Sequence, residues 1–258
     1  MLVVLKKKRI LIALALIAVI ACSAVLAWFC FGSHNEVEAT SKEIRKIPVY
    51  SVDTAENVVA LSFDAAWGGD KTLKILDILD EYDVKATFFL VGFWIDAFPD
   101  LVKEIHKRGH LIGNHSENHP HFNQLSKEKS EGEISSVNEK VNALIGISPV
   151  FFRAPFGEYN NTMMGLLEEK KMIGVQWSVD SLDWKGLSGG QISDRILSKA
   201  KSGSIILCHN NSDHILEALP IVLLGLKNKK LRCVRMDEMV LTENYSIDGN
   251  GTQHSATT

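Results

Sequence analysis

Cysteine is scarce, four in 258 residues, and these do not bracket a short polar domain, so a scaffold built on disulfides is excluded. Six prolines and 18 glycines are too few for a collagen-like chain, and with 46% hydrophobic residues the composition is not that of a disordered one. No internal repeat is present, which removes solenoids and propellers. An excess of positive charge is missing as well: 28 Lys and Arg stand against 31 Asp and Glu, a net charge of −3. Lys6, Lys7, Lys8 and Arg9 supply part of that basic count, so the remainder of the chain is more acidic still. This balance argues against nucleic acid as a partner and for a neutral or cationic one.

One long apolar run is present, over residues 10–31, with Ser23 as its only polar interruption. At a rise of about 1.5 Å per residue it would cross a hydrocarbon core of roughly 30 Å. The basic segment 1–9 in front of it is expected to stay cytoplasmic, which makes 10–31 a transmembrane anchor and places the rest of the chain outside. A cleaved signal leading to secretion is an alternative, and Val19, Ile20, Ala21 and Cys22 look like a lipoprotein signal, although the run continues through Trp28, Phe29 and Phe31. Residues 32–46 read as a linker, 47–241 as one folded domain with a sizeable core, and 242–258 as a polar tail.

Within the domain, short apolar runs alternate with segments of helical periodicity. Strands are expected over 58–63, 86–91, 110–113, 150–153, 175–179, 204–208 and 231–235. Helices are expected from Asp70 as a cap, over 100–108, around Ile134, Val137, Val141 and Leu144 up to Gly146, over 162–171 and 192–201, and from Ile215 with a bend at Pro220. Cys208 and Cys233 fall in strands and read as free thiols. Alternation of this kind implies a parallel sheet covered by helices, either doubly wound or a barrel. Asp64, His115, Arg153, Asp180 and His209 each stand at or just beyond the C-terminal end of an expected strand, an arrangement that suits a barrel mouth best.

Several short stretches carry chemistry. In Asn114-His115-Ser116-Glu117-Asn118-His119, with His121 close behind, two imidazoles four residues apart would share a face if the segment were helical, as a divalent metal requires, or they are ordinary turn histidines. Asp64 is a base, a metal ligand or a helix cap. Arg153 precedes Ala154-Pro155-Phe156-Gly157, where proline stiffens the turn that aims its guanidinium; otherwise it makes a surface ion pair. Asp180, Asp183 and Trp184 follow one strand and His209 another, and a buried carboxylate beside His209 would favour the protonated imidazole that a general acid needs.

Taken in order, these pieces resemble the five motifs of the polysaccharide deacetylase family (NodB homology domain, carbohydrate esterase family 4): Ser62-Phe63-Asp64; His115-Ser116 with His119; Arg153-Ala154-Pro155-Phe156; Asp180 through Trp184; and Leu207-Cys208-His209. Residues 47–53 and 62–68 look most like a sporulation-associated branch. The resemblance implies an irregular (β/α) barrel and removal of N-acetyl groups from amino sugars of cell-wall glycan, peptidoglycan above all. It implies that His115 and His119 bind zinc or another divalent ion such as cobalt, that Asp64 is the general base oriented by Arg153, and that His209 is the general acid held by Asp183. Trp184 and Leu207 would form a slot for the acetyl methyl, and the backbone N–H of Phe156 would face the oxyanion. Trp67, Trp94, Phe156 and Trp184 are candidates for stacking on sugar faces.

One position departs from the family pattern. Where a second aspartate normally follows the first and binds the metal, this chain has Ala65. Three outcomes are open: two histidines and water hold the ion, Asp64 enters its shell, or the site holds no metal and does no hydrolysis, which leaves a glycan-binding domain. A replacement carboxylate from Asp70 or Glu117 is a further expectation to test.

Overall fold

The computed structural model describes residues 17–23, 25–26 and 44–256. Contacts divide the chain into two units, Met1–Ile44 and Arg45–Thr258. In the first, residues 17–23 and 25–26 are helical. The basic segment, the rest of the 10–31 run and nearly all of the 32–46 linker lie outside the described residues. Among those described, no helix is long and apolar enough to cross a membrane.

The second unit opens with β1 (Ser51–Val52) and is built around a sheet of eight strands: β2 (Val58–Ala65), β3 (Thr87–Leu90), β4 (Leu111–Asn114), β5 (Phe151–Phe152), β6 (Ile173–Gly174), β7 (Val179–Asp180), β8 (Ile205–His209) and β9 (Arg232–Val234). Their order is β6-β5-β4-β3-β2-β8-β7, with β9 on the first residues of β2, and every pairing is parallel. Parallel neighbours need crossovers, supplied by α1 (Thr72–Glu81), α2 (Gly92–Ala97), α3 (Pro99–Lys107), α4 (Lys127–Ile145), α5 (Asn161–Glu169), α6 (Gly189–Lys199) and α7 (Ile215–Asn228).

Strand β2 is buried on both faces and sorts its side chains by parity. Val59, Leu61, Phe63 and Ala65 pack outward with Ile75, Leu76 and Leu79 of α1 and Leu219 and Val222 of α7. Val58 and Ala60 face inward, in one cluster with Phe89 of β3, Phe151 of β5, Ile173 of β6, Ile205 of β8 and Val234 of β9. A flat sheet would keep the edge strand β6 apart from β8 and β9, three strands and more away, so their meeting in one cluster shows that the sheet is curled into part of a barrel. Burial of each such side chain is worth about 1.5–3 kcal/mol, which makes the curl a packing requirement.

Local signals explain most element ends. Ser126 caps α4 by accepting from the Lys129 N–H at 3.3 Å, Gly146 ends it at φ 76°, and Ser188 with Gln191 forms a capping box on α6. Three expectations are corrected and one element was not foreseen. Lys71, not Asp70, stands at the N-cap of α1, with no side-chain cap. Of the strand expected over 175–179 only Val179 lies in a strand, β7, because Val175 bridges to Val49 and the Gln176 N–H donates to the Val49 carbonyl at 2.7 Å. The short helix α2 has too few residues to show a period.

Finally, the segment read as a polar tail folds. Strands β10 (Tyr245–Ile247) and β11 (Thr252–Ser255) form a hairpin, and β11 pairs parallel with β1. Its stabilisation is polar: buried Gln253 exchanges two 2.8 Å hydrogen bonds with the backbone of Leu241, so hydropathy carries no trace of it. Cys208 and Cys233 are free thiols, as expected.

Candidate active site

The parallel sheet delivers its C-terminal edge to one place. Asp64 near the end of β2 is the register partner of His209 at the end of β8, and of Phe89 in β3 on the other side. Arg153 follows β5 and is fully buried. Its Nη1 donates to Asp64 Oδ1 at 2.7 Å and its Nη2 to the Gln176 carbonyl at 3.2 Å, with the guanidinium 4.1 Å from the Phe89 ring centre. Burial works to raise the Asp64 pKa, but Arg153, His115 and His209 outweigh it and hold the carboxyl below its ordinary value. The site therefore keeps an ionised carboxylate in a largely buried position.

His115 follows β4 directly. Its Nδ1 lies 2.7 Å from the Arg153 carbonyl, a contact that requires Nδ1 to carry the proton and leaves Nε2, 3.4 Å from Asp64 Oδ2, as the lone-pair nitrogen. His119 meets it edge-on, ring centres 5.0 Å apart. The two imidazoles do not share a helix face: the loop turns through left-handed residues, Ser116 at φ 69° and His119 at φ 54°. Burial lowers both pKa values, that of His119 to about 4, so both rings are neutral as metal ligands must be.

The loop is fixed from behind. The Asn114 amide donates to the Ile134 carbonyl and to Asn138 Oδ1, each at 2.8 Å, while its oxygen accepts from the Ser116 N–H. Glu133 of α4 holds Asn118 through two 2.8 Å bonds. The Glu117 carboxylate turns to Ser136 and Lys140, and Asp70 is exposed outside the cavity, so neither replaces the missing aspartate.

Two neutral imidazoles beside an ionised carboxylate are a donor set that fits a divalent ion. Ala65 adds no donor, its methyl being packed in the outer core. No group of three or more His, Cys, Asp or Glu side chains among the described residues is arranged as a ready metal cage.

Across the mouth, His209 Nδ1 lies 2.7 Å from Asp183 Oδ1, and the His209 backbone N–H donates to Asp183 Oδ2 at 2.8 Å. Burial disfavours the imidazolium, yet the bond to Asp183 and the charges of Asp183, Asp64 and Asp180 outweigh it and raise the His209 pKa. Nε2 is thus the nitrogen left for a proton bound for the cavity. Asp183 is buried after the left-handed Leu182 at φ 52°, and Ser181 Oγ accepts its N–H at 3.2 Å.

Asp64, His115, His119 and His209 line a cavity of about 510 Å³ together with Leu207, Trp67, Phe156, Trp177, Trp184, Asp180 and Asn211, while Arg153 and Asp183 stand behind its wall. Trp67, Phe156 and Trp184 are more than half exposed at its rim, whereas Trp94 is buried core whose Nε1 donates to the Gly68 carbonyl at 2.7 Å. The residues proposed from sequence are therefore brought together, Trp94 excepted. Sequence reasoning missed Phe89, Gln176 and Trp177 around Arg153. Phe89 lies in a uniformly buried strand, and the one hint was Gly113, where a β-carbon would come within 2.4 Å of the Phe89 ring.

A family model described as polysaccharide deacetylase matches residues 51–175. A peptidoglycan-N-acetylglucosamine deacetylase of Bacillus cereus is 38% identical over 71% of this chain and 68% of its own length. The peptidoglycan-N-acetylmuramic acid deacetylase PdaA of Bacillus subtilis is 32% identical, covering 77% of each. Among solved structures, a protein of Bacillus anthracis described as a CE4 family pseudoenzyme superposes with a TM-score of 0.72 at 26% identity, over 81% of this chain and 72% of that one. A mutant of it is described as having restored enzymatic activity.

Proposed function

Given that the chain belongs to the polysaccharide deacetylase family, we propose that it hydrolyses the N-acetyl groups of amino sugars in cell-wall peptidoglycan. The observation that carries this reading is the pairing of opposites across one cavity: an Asp64 carboxylate held ionised by Arg153 faces a His209 imidazole whose protonated form Asp183 favours. Two titratable groups driven apart in this way are a base and an acid ready for one reaction.

His115 and His119 would hold a divalent ion, zinc or cobalt, whose chemistry when bound is to polarise the acetamide carbonyl and acidify water. Asp64 accepts a proton from the attacking water, with Arg153 fixing its orientation. The backbone N–H of Phe156 donates to the oxyanion, an interaction worth about 3 kcal/mol in comparable sites. His209 then gives its Nε2 proton to the amine as the C–N bond breaks, and Asp183 stabilises the imidazolium beforehand. Trp184 and Leu207 seat the methyl of the departing acetate.

A second reading, a glycan-binding domain without turnover, is favoured by Ala65, which leaves the ion two imidazoles. Acetate release from peptidoglycan by the full chain, with zinc or cobalt and again after chelation, separates the two. Metal-dependent release, abolished in His209→Ala, is the expected result; saturable glycan binding with no release would establish the second reading. We further propose that residues 10–31 anchor the chain in the membrane with the domain outside, testable by protease accessibility in intact cells. A role in spore formation rests on residues 47–53 and 62–68, and normal spores after gene deletion would remove it.

A further inference from the structure

One histidine beside the site has no part in the reaction just described. The His121 ring lies flat on that of Phe156, centres 4.2 Å apart and planes within 12°, while His119 meets the Phe156 ring edge-on at 4.7 Å. His121 Nδ1 is 3.0 Å from Glu158 Oε1. Among the described residues the other oxygen of that carboxylate, Oε2, is buried with no hydrogen-bond partner, so His121 is what orients it.

Phe156 sits at φ 58°, ψ 5°, and Gly157 follows at φ 71°. A residue with a β-carbon pays about 1–2 kcal/mol for the left-handed region and stays there only where its surroundings over-determine it. Burial does not do so here, because Phe156 is 56% exposed. The backbone bonds of the turn are long, 3.2 Å from Gly157 N–H to the Ala154 carbonyl and 3.1 Å from Glu158 N–H to that of Pro155. Besides the edge-on contact with His119, what holds the turn is a closed circuit: Phe156 ring to His121 ring, His121 to the Glu158 carboxylate, and Glu158 back along two residues of chain to Phe156.

We propose that His121, held by Glu158, is a positioning residue that locks the Phe156 turn and so aims the Phe156 backbone N–H into the cavity. The inference rests on the reading of that N–H as the oxyanion donor. It assigns His121 no contact with the reacting atoms and no metal.

The test uses the full chain in detergent, labelled with 15N-phenylalanine, as wild type, His121→Ala, His121→Phe and Glu158→Ala. In His121→Ala the Phe156 amide resonance moves and its hydrogen exchange quickens; in His121→Phe, which keeps a ring on the stack, both return towards wild type. On N-acetylglucosamine oligomers kcat falls about tenfold or more in His121→Ala with KM changed less than about twofold, and His121→Phe recovers to within about threefold. Glu158→Ala lies between. An unmoved Phe156 amide in His121→Ala, or a loss in His121→Phe equal to that in His121→Ala, overturns the proposal. Absence of acetate release from the wild type would remove the deacetylase reading, and the amide measurement would still decide the positioning.

Discussion

Asp183 is fully buried yet keeps two hydrogen bonds to one residue, and this sets the pH behaviour of His209, the proposed acid. A raised His209 pKa means that the protonated form, the one that can serve the leaving amine, persists above the ordinary histidine value of 6.5 and is lost as pH rises through the shifted pKa. In Asp183→Asn the attraction that favours imidazolium is gone while burial still opposes it. The alkaline limb of kcat/KM for acetate release should therefore move to lower pH, with a rate loss of about 10²-fold or more at neutral pH. An unmoved limb would show that His209 is not the titrating acid. Gly113 acts through shape alone: an added β-carbon at 2.4 Å would displace the Phe89 ring that packs on the Arg153 guanidinium. Gly113→Ala should cost about 1–3 kcal/mol by denaturant unfolding, and the remaining folded protein should show a lower kcat because Arg153 no longer holds Asp64 in place.

At the scale of elements, the site depends on what stands behind it. Helix α4 receives the Asn114 amide on the Ile134 carbonyl and on Asn138, and grips Asn118 through Glu133, so the loop carrying His115 and His119 is referred to a rigid element and not to its own turns. Asn114→Ala removes three hydrogen bonds at a fully buried position and strands the Ser116 N–H. A loss of about 3 kcal/mol is expected, measured by denaturant unfolding, together with weaker zinc binding measured by calorimetry. This arrangement also marks how far the sequence could be read. Periodicity sufficed for β2, α4 and α7 because apolar burial shapes them. It could not show that the two histidines converge through a left-handed loop, nor that Gln176 bonds Val49 between β6 and β7, because neither feature is written in hydropathy. The five strand-end polar groups were legible because a parallel sheet puts every C-terminal end on one side. Phe89 was not, since a ring under a guanidinium reads like any core phenylalanine.

For the folded unit as a whole, chemistry and closure occupy opposite edges of the sheet. Asp64, His115, Arg153 and His209 stand at the C-terminal edge. At the other, β1 meets the chain where β8 begins: the Val52 N–H donates to the Gly203 carbonyl at 2.9 Å, and the Gly203 N–H to Val58 at 2.8 Å. Strand β11 covers β1, with Gln253 bonded to Leu241 and buried beside the inner cluster of Val52, Met239 and Val240. The hairpin thus serves to cover the barrel floor, and its loss should be felt in stability before it is felt in catalysis. Gln253→Ala leaves the Leu241 N–H and carbonyl without partners, so a decrease of about 2–3 kcal/mol in unfolding free energy is expected. The kcat for acetate release by the protein that remains folded should stay within about twofold of wild type, because no hydrogen bond of the site runs through β11. A larger fall in kcat at unchanged stability would mean that the floor and the mouth are coupled, and that the polar hairpin belongs to the catalytic machinery and not only to the fold.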